Sequence, residues 1–254
     1  MPNRSQSFRA AIVLLASCWV LCCPAFAAST AERSVIGHSV RGRPIVSLRN
    51  GPADAALKVL VVGCIHGDET AGIAVARRLI AGGAPRGTEL WVVPTINPDG
   101  VAAGTRGNAH GIDLNRNFSF DWAHLGGGEY SGPHALSEPE SRTARRLILR
   151  IRPDLTIWFH QPFGIVDRSG GNPFVERRFS QLVGLPLVRL HGRYPGSATR
   201  WQNHTYSSAT AFVTELPSTV SGTLVHRATA SVRTLAAELG SPRIGPIAAP
   251  PRQP

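Results

Sequence analysis

The sequence predicts an α/β domain, on three observations. Short valine-rich apolar runs, of which Val59-Leu60-Val61-Val62 is the plainest, stop at glycines or small residues in the manner of buried strands. Segments with small and apolar residues at helical spacing lie between or after these runs, at 69–81, 137–151, 174–183 and 222–239. The chain has 254 residues and 43% hydrophobic content, enough for one sizeable core.

Residues 1–27 differ in character from the rest of the chain. Arg4 and Arg9 precede an apolar stretch from Ala10 to Cys23, Ala25-Phe26-Ala27 fits small-x-small cleavage, and the first acidic residue is Glu32. This is the pattern of an export signal removed from the mature chain, and the apolar stretch is shorter than the roughly 20 residues a membrane span needs. Leu15-Ala16-Ser17-Cys18 resembles a lipobox, but the apolar run continues through Trp19, Val20 and Leu21, which argues against cleavage there. The expected organisation is a signal at 1–27, one catalytic domain at 28–240 and a Pro-rich, disordered tail at 241–254.

Within the domain, Ser34 to Leu48 contains two β-like runs around Arg41-Gly42-Arg43, which predicts an antiparallel hairpin at a sheet edge. A strand over 59–62 and a helix to Ala81 come next, then a strand over 90–96 and a turn at Asn97-Pro98-Asp99-Gly100. The segment from Val101 to Leu136 is glycine-rich and aperiodic, the mark of a functional loop in a compact domain. A helix over 137–151 is expected to start with Ser137 as N-cap and Glu140 at the third position, a capping box. Strands at 154–159 and 210–216 and a last helix over 222–239 complete the pattern.

Charge and cysteine content narrow the function classes. The formal charge is +11, and without Arg4 and Arg9 there remain 25 basic residues against 16 acidic ones. Lys58 is the only lysine, and the arginines at 142, 145, 146, 150 and 152 mostly decorate one predicted helix without interleaved aromatics. That is a solvated basic surface rather than a nucleic-acid site. Of four cysteines only Cys64 lies outside the signal, so the mature chain has no intramolecular disulfide, and a lone thiol at a strand end reads as a packed residue rather than a ligand.

The chemistry concentrates where the predicted strands end. After the 59–62 strand comes His66-Gly67-Asp68-Glu69, and a helical turn there would put His66 and Glu69 on one face, able to converge on one cation. Two histidines and a glutamate are a ligand set for catalytic zinc. His160, at the end of the 154–159 strand, is positioned to be the third ligand. Glu215 sits in an otherwise apolar strand, where a carboxylate is costly unless paired or functional, so function is expected of it. Asn115-Arg116 in the long loop has two readings: a carboxylate clamp, or an Asx-turn beside a surface arginine.

Taken together, His66-Gly67-Asp68-Glu69, Asn97-Pro98-Asp99-Gly100, Arg106, Asp113-Leu114-Asn115-Arg116-Asn117-Phe118, Ser137-Glu138-Pro139-Glu140, His160 and Thr214-Glu215 resemble, in order, the motifs of the zinc carboxypeptidase family. The resemblance covers about Ser34 to Leu239 and is strongest to the murein peptide amidase group. It implies a three-layer α/β/α sandwich around a mixed, mainly parallel sheet. It also implies one zinc held by His66, Glu69 and His160, with Asp113 orienting a ligand histidine. Arg106 would stabilise the oxyanion, Asn115 and Arg116 would hold the substrate's terminal carboxylate, and Glu215 would be general base and then acid. The family's mobile tyrosine maps weakly to Tyr194, with Tyr206 as the other candidate. Gln161 follows the third ligand where relatives often carry an acidic or small residue, so the specificity pocket does not carry over.

The implied activity is hydrolysis of an amide bond near the carboxyl end of a peptide, foremost the γ-D-glutamyl to diaminopimelate bond of cell-wall peptides, by an exported enzyme without stable membrane insertion. A general metallocarboxypeptidase or N-acyl amino acid hydrolase would use the same zinc site. A zinc-dependent cell-wall binding module without turnover is the rival of another class, and the presence of both Arg106 and Glu215 speaks against it.

Overall fold

A computed structural model describes residues 31–241 of the protein, so the expected signal and all but the first residue of the expected tail lie outside the described residues. One mixed eight-stranded sheet carries the domain. Its strands are β1 (Glu32–His38), β2 (Pro44–Asn50), β3 (Leu57–Val62), β4 (Thr88–Val93), β5 (Leu155–His160), β6 (Phe163–Asp167), β7 (Leu187–Val188) and β8 (Thr210–Pro217). They lie in the order β1-β2-β4-β3-β5-β8-β6-β7. The inner strands β4, β3, β5 and β8 are mutually parallel, and β1–β2, β2–β4 and β6–β8 pair antiparallel. The expected hairpin forms the β1–β2 edge.

Side-chain alternation along the buried strands produces two cores. Val59 and Val61 of β3, with Leu155, Ile157 and Phe159 of β5, face one layer, built from α1 (Ala71–Ala81), α4 (Pro173–Val183) and α6 (Gly222–Leu239). Leu60, Val62 and Trp158 face the other, where Ala144, Leu147 and Ile148 of α3 (Pro139–Ile151) and Trp201 of α5 (Ala198–Thr205) pack. The result is the three-layer sandwich. The arginines of α3 occupy its outer side, opposite this apolar stripe.

Several local expectations need correction. The turn after Gly63 is not helical, since α1 starts at Ala71. Asn97 to Gly100 is not a simple turn but the start of α2 (Pro98–Ala103), because the Asn97 side chain accepts the Gly100 amide at 2.9 Å and caps the helix. Helix α3 lacks the capping box at Ser137. Pro139, which has no amide to satisfy, takes the first helical position and makes Glu138 the cap, while Glu140 is drawn away to the Val40 amide at 3.0 Å. The segments that form β6, β7 and α5 carry no periodic signal strong enough to be read.

Beyond α2 the long segment, 104–136, is a loop with two 3-10 turns, at Leu114–Arg116 and Gly127–Glu129, held by specific bonds. Asn117 donates to the carbonyls of Ser131 and His134 at 2.8 and 3.2 Å. The Phe118 amide donates to the Gly196 carbonyl at 2.8 Å, which fastens this loop to the segment before α5. Among the described residues no helix is long and apolar enough to cross a membrane.

Candidate active site

The parallel strands β3, β5 and β8 end on one edge of the sheet, where open α/β folds gather their functional groups. His66 and Glu69 lie in the eight-residue connection after β3, His160 is the last residue of β5, and Glu215 is its register partner on β8. The connection is a hydrogen-bonded turn, with the Glu69 amide donating to the His66 carbonyl at 3.0 Å. It performs what a helical turn would have done and brings two side chains three residues apart together.

This turn rests directly on the protein backbone. A Cβ on Gly67 would collide with the main chain at Gly100. Gly67→Ala is therefore expected to lower stability by about 1–3 kcal/mol, since backbone atoms cannot step aside as a flexible side chain does. Denaturant unfolding of the two proteins checks this, and an unchanged midpoint would count against the contact.

His66, Glu69 and His160 are all buried, and one ligand atom from each lies within 4.8 Å of the others. The Nδ1 atoms of His66 and His160 each stand 2.9 Å from a different oxygen of Glu69. The outer nitrogen of His66 meets Asp113 Oδ1 at 3.0 Å, which orients the ring with Nδ1 toward Glu69. Burial pushes the His160 imidazole pKa down, with the Glu69 hydrogen bond only partly opposing it, so the ring stays neutral as a ligand must be. Burial works against ionisation of Asp113 and Glu69, but their hydrogen bonds to the histidines hold both below the usual carboxylate range. Burial works against protonation of His66, but its hydrogen bonds to Asp113 and Glu69 raise its pKa, so this ring would give up a proton on ligation. Two imidazole nitrogens and an anionic oxygen at this spacing fit a zinc ion.

Cys64 stays outside the cluster, as expected. Its buried thiol donates to the His66 carbonyl at 3.0 Å, and burial pushes its pKa up to about 12.

Around the cluster opens a cleft of about 1150 Å³ whose wall includes Arg106, Asn115, Arg116, Tyr194 and Glu215. Arg106 is tied to Asp113 at 3.0 Å and to Glu69 at 3.2 Å. The Ala198 amide donates to the Asn115 side-chain oxygen at 3.0 Å, leaving the Asn115 amino group as the free donor. Arg116 is buried rather than a surface arginine. Its guanidinium lies 5.1 Å from the Tyr194 ring. Tyr206, by contrast, packs against the second core. Glu215 is buried, its Oε2 has no hydrogen-bond partner, and burial, reinforced by the charge of Glu69, pushes its pKa up to about 7.

One residue of this region has a role other than the one the sequence suggested, and another escapes sequence reasoning. Gln161, marked in the sequence as a departure that unsettles the specificity pocket, lines the cleft. Its side chain links the Ala71 amide at 3.0 Å to the Pro217 carbonyl at 3.1 Å, and its own amide donates to Glu69 at 3.2 Å. It braces a ligand, and its place beside His160 is the one signal the sequence offers. Glu129, paired with Arg116 at 2.6 Å, sits after three glycines and offers none.

A family model described as zinc carboxypeptidase matches residues 26–162, just over half of the chain. The chain belongs to the zinc carboxypeptidase family. It is accordingly a zinc-dependent peptidase, with one zinc site at His66, Glu69 and His160.

Over 185 residues this peptidase is 32% identical to murein peptide amidase A of Escherichia coli (strain K12), covering 65% of this chain and 74% of that one. Over 158 residues it is 27% identical to carboxypeptidase B of Astacus astacus, covering 49% and 52%. The fold matches crystal structures of murein-tripeptide amidase from Escherichia coli O157 and of carboxypeptidase A from Helicoverpa armigera. The first has a TM-score of 0.69 at 24% identity, covering 81% of this chain and 92% of that one. The second has a TM-score of 0.71 at 18% identity, covering 84% and 69%.

Proposed function

We propose that this zinc peptidase hydrolyses the γ-D-glutamyl to diaminopimelate bond of peptidoglycan-derived peptides, acting outside the cytoplasm after loss of residues 1–27. The observation that carries the reading of the site is that one cleft holds both a buried carboxylate with one oxygen unpartnered, Glu215, and a buried arginine, Arg116. The likeness to murein peptide amidase A supports the choice of substrate.

Each residue has a role that follows from its atoms. Arg116 and the amino group of Asn115 hold the carboxylate of the substrate's terminal residue, a charge-assisted contact that orients the bond to be cut. Tyr194, beside Arg116, closes over that residue. When bound by His66, Glu69 and His160, zinc supplies Lewis acidity, which polarises the carbonyl and acidifies water. Glu215 takes the proton from the attacking water and delivers it to the leaving amine, and a carboxyl held near neutrality suits both transfers. Arg106 places positive charge where the oxyanion develops. Asp113 binds no substrate; it keeps the His66 ring in its ligating orientation.

Product analysis by mass spectrometry tests the reading. The zinc-loaded protein is incubated with a murein tripeptide and with an unbranched L-peptide of similar length. Release of diaminopimelate from the first alone is the expected result. Cleavage of the L-peptide would make the protein a general carboxypeptidase, and cleavage of neither would remove the proposed substrate.

A further inference from the structure

Arg116, read as the holder of the substrate's carboxylate, already has a carboxylate on it. Its Nη2 donates to Glu129 Oε1 at 2.6 Å. Arg116 is buried to 5% side-chain exposure, whereas Glu129 is 52% exposed, so the acidic partner approaches from the solvent side of the cleft, as a substrate would. Of the other nitrogens, Nη1 donates to the Asn115 carbonyl at 3.0 Å and Nε is buried without a partner. The guanidinium is therefore under-used by the protein, and Glu129 takes the outward bond.

Glu129 ends a single 3-10 turn (Gly127–Glu129) pinned at the next residue, whose carbonyl accepts from the Asp113 amide at 2.8 Å, so its half-exposed side chain rather than its backbone is free to turn. Glu129 comes after Gly126, Gly127 and Gly128, and a Cβ added to any of the three would meet no atom within 4 Å. Among the described residues Glu129 forms no ion pair except that with Arg116. Two carboxylates cannot both sit on the solvent edge of one guanidinium without repelling each other.

We infer that Glu129 is a tethered carboxylate that occupies the subsite for the substrate's carboxylate and is displaced when substrate binds. The inference rests on the role proposed for Arg116 in substrate binding. Each incoming ligand then exchanges one ion pair for another. The subsite consequently discriminates against ligands that offer a carboxylate and little else, since they gain less than a peptide that also fills the cleft.

The test is calorimetric binding of 3-phenylpropionate, a simple monocarboxylate without a peptide bond, to the zinc-loaded full chain. The Glu129→Gln and Glu129→Ala variants should each bind it more tightly, with a Kd lower by about two- to fivefold, the range set by removing a part-exposed competing ion pair. Arg116→Met should lose binding. If both Glu129 variants bind equally to or more weakly than the parent while Arg116→Met loses binding, Glu129 merely positions the arginine and the inference falls. If Arg116→Met still binds, the role proposed for Arg116 falls with it. The probe has no bond to cleave, so failure of the tripeptide assay would leave this outcome standing on its own.

Discussion

Glu215→Gln is expected to keep one zinc per chain and to lose about 10²–10⁴ of turnover. The amide has nearly the shape of the carboxyl, and the side chain ligates nothing in the His66, Glu69 and His160 cluster, so metal content should not move. Stability should not fall either, because Glu215 Oε2 makes no hydrogen bond for the variant to lose. What disappears is the capacity to take up and release a proton beside the bond being cut. Elemental analysis for zinc and single-turnover hydrolysis of the tripeptide, run on the same preparation, separate the two properties. A rate within tenfold of the parent would remove Glu215 from the mechanism, and loss of zinc would make it a ligand instead.

The second large effect is on the metal itself. His160→Ala is expected to weaken zinc binding by more than about a hundredfold, since even the outer partners of ligands are worth about 10–100-fold. The reason is local. His160 Nδ1 and His66 Nδ1 flank the two oxygens of Glu69, so removing one ring leaves a two-residue site open on one side. His160 also ends a fully buried strand, and truncation leaves a void next to Glu69. Competition against a chromophoric zinc chelator gives the affinity, and unfolding in excess chelator shows whether the apo variant remains folded. Unchanged zinc affinity in a folded variant would overturn the ligand assignment.

The fold is legible in the sequence wherever burial on both faces leaves a strand as a largely apolar run. β3, β4, β5 and β8 are of that kind, and each matches its expected span to within a few residues. β6 and β7 are not legible, because one is short with an exposed Phe163 and the other has two residues. Helix α5 escapes because its composition, Ala-Thr-Arg-Trp-Gln-Asn-His-Thr, is polar, and its stability comes from Trp201 in the second core and Gln202 bonded to Thr156 at 2.7 Å. Tertiary packing supplies what propensity does not.

The candidate site divides along the same line. Residue type and order, with the likeness of the ordered motifs to the zinc carboxypeptidase family, pointed to the zinc ligands His66, Glu69 and His160 and to the carboxylate Glu215, because chemistry that needs an imidazole or a buried charge can be met by few residues and these stand at or just beyond recognisable strands. Only the tertiary structure decided that the turn after β3 is not helical, that Arg116 is buried under a cleft rather than on the surface, that Gln161 braces Glu69, and that Glu129 sits on Arg116. Those facts depend on contacts between residues distant in sequence, such as Phe118 with Gly196 and Gln161 with Ala71, and no local pattern encodes a pairing that exists only once the sheet has brought both partners to one edge.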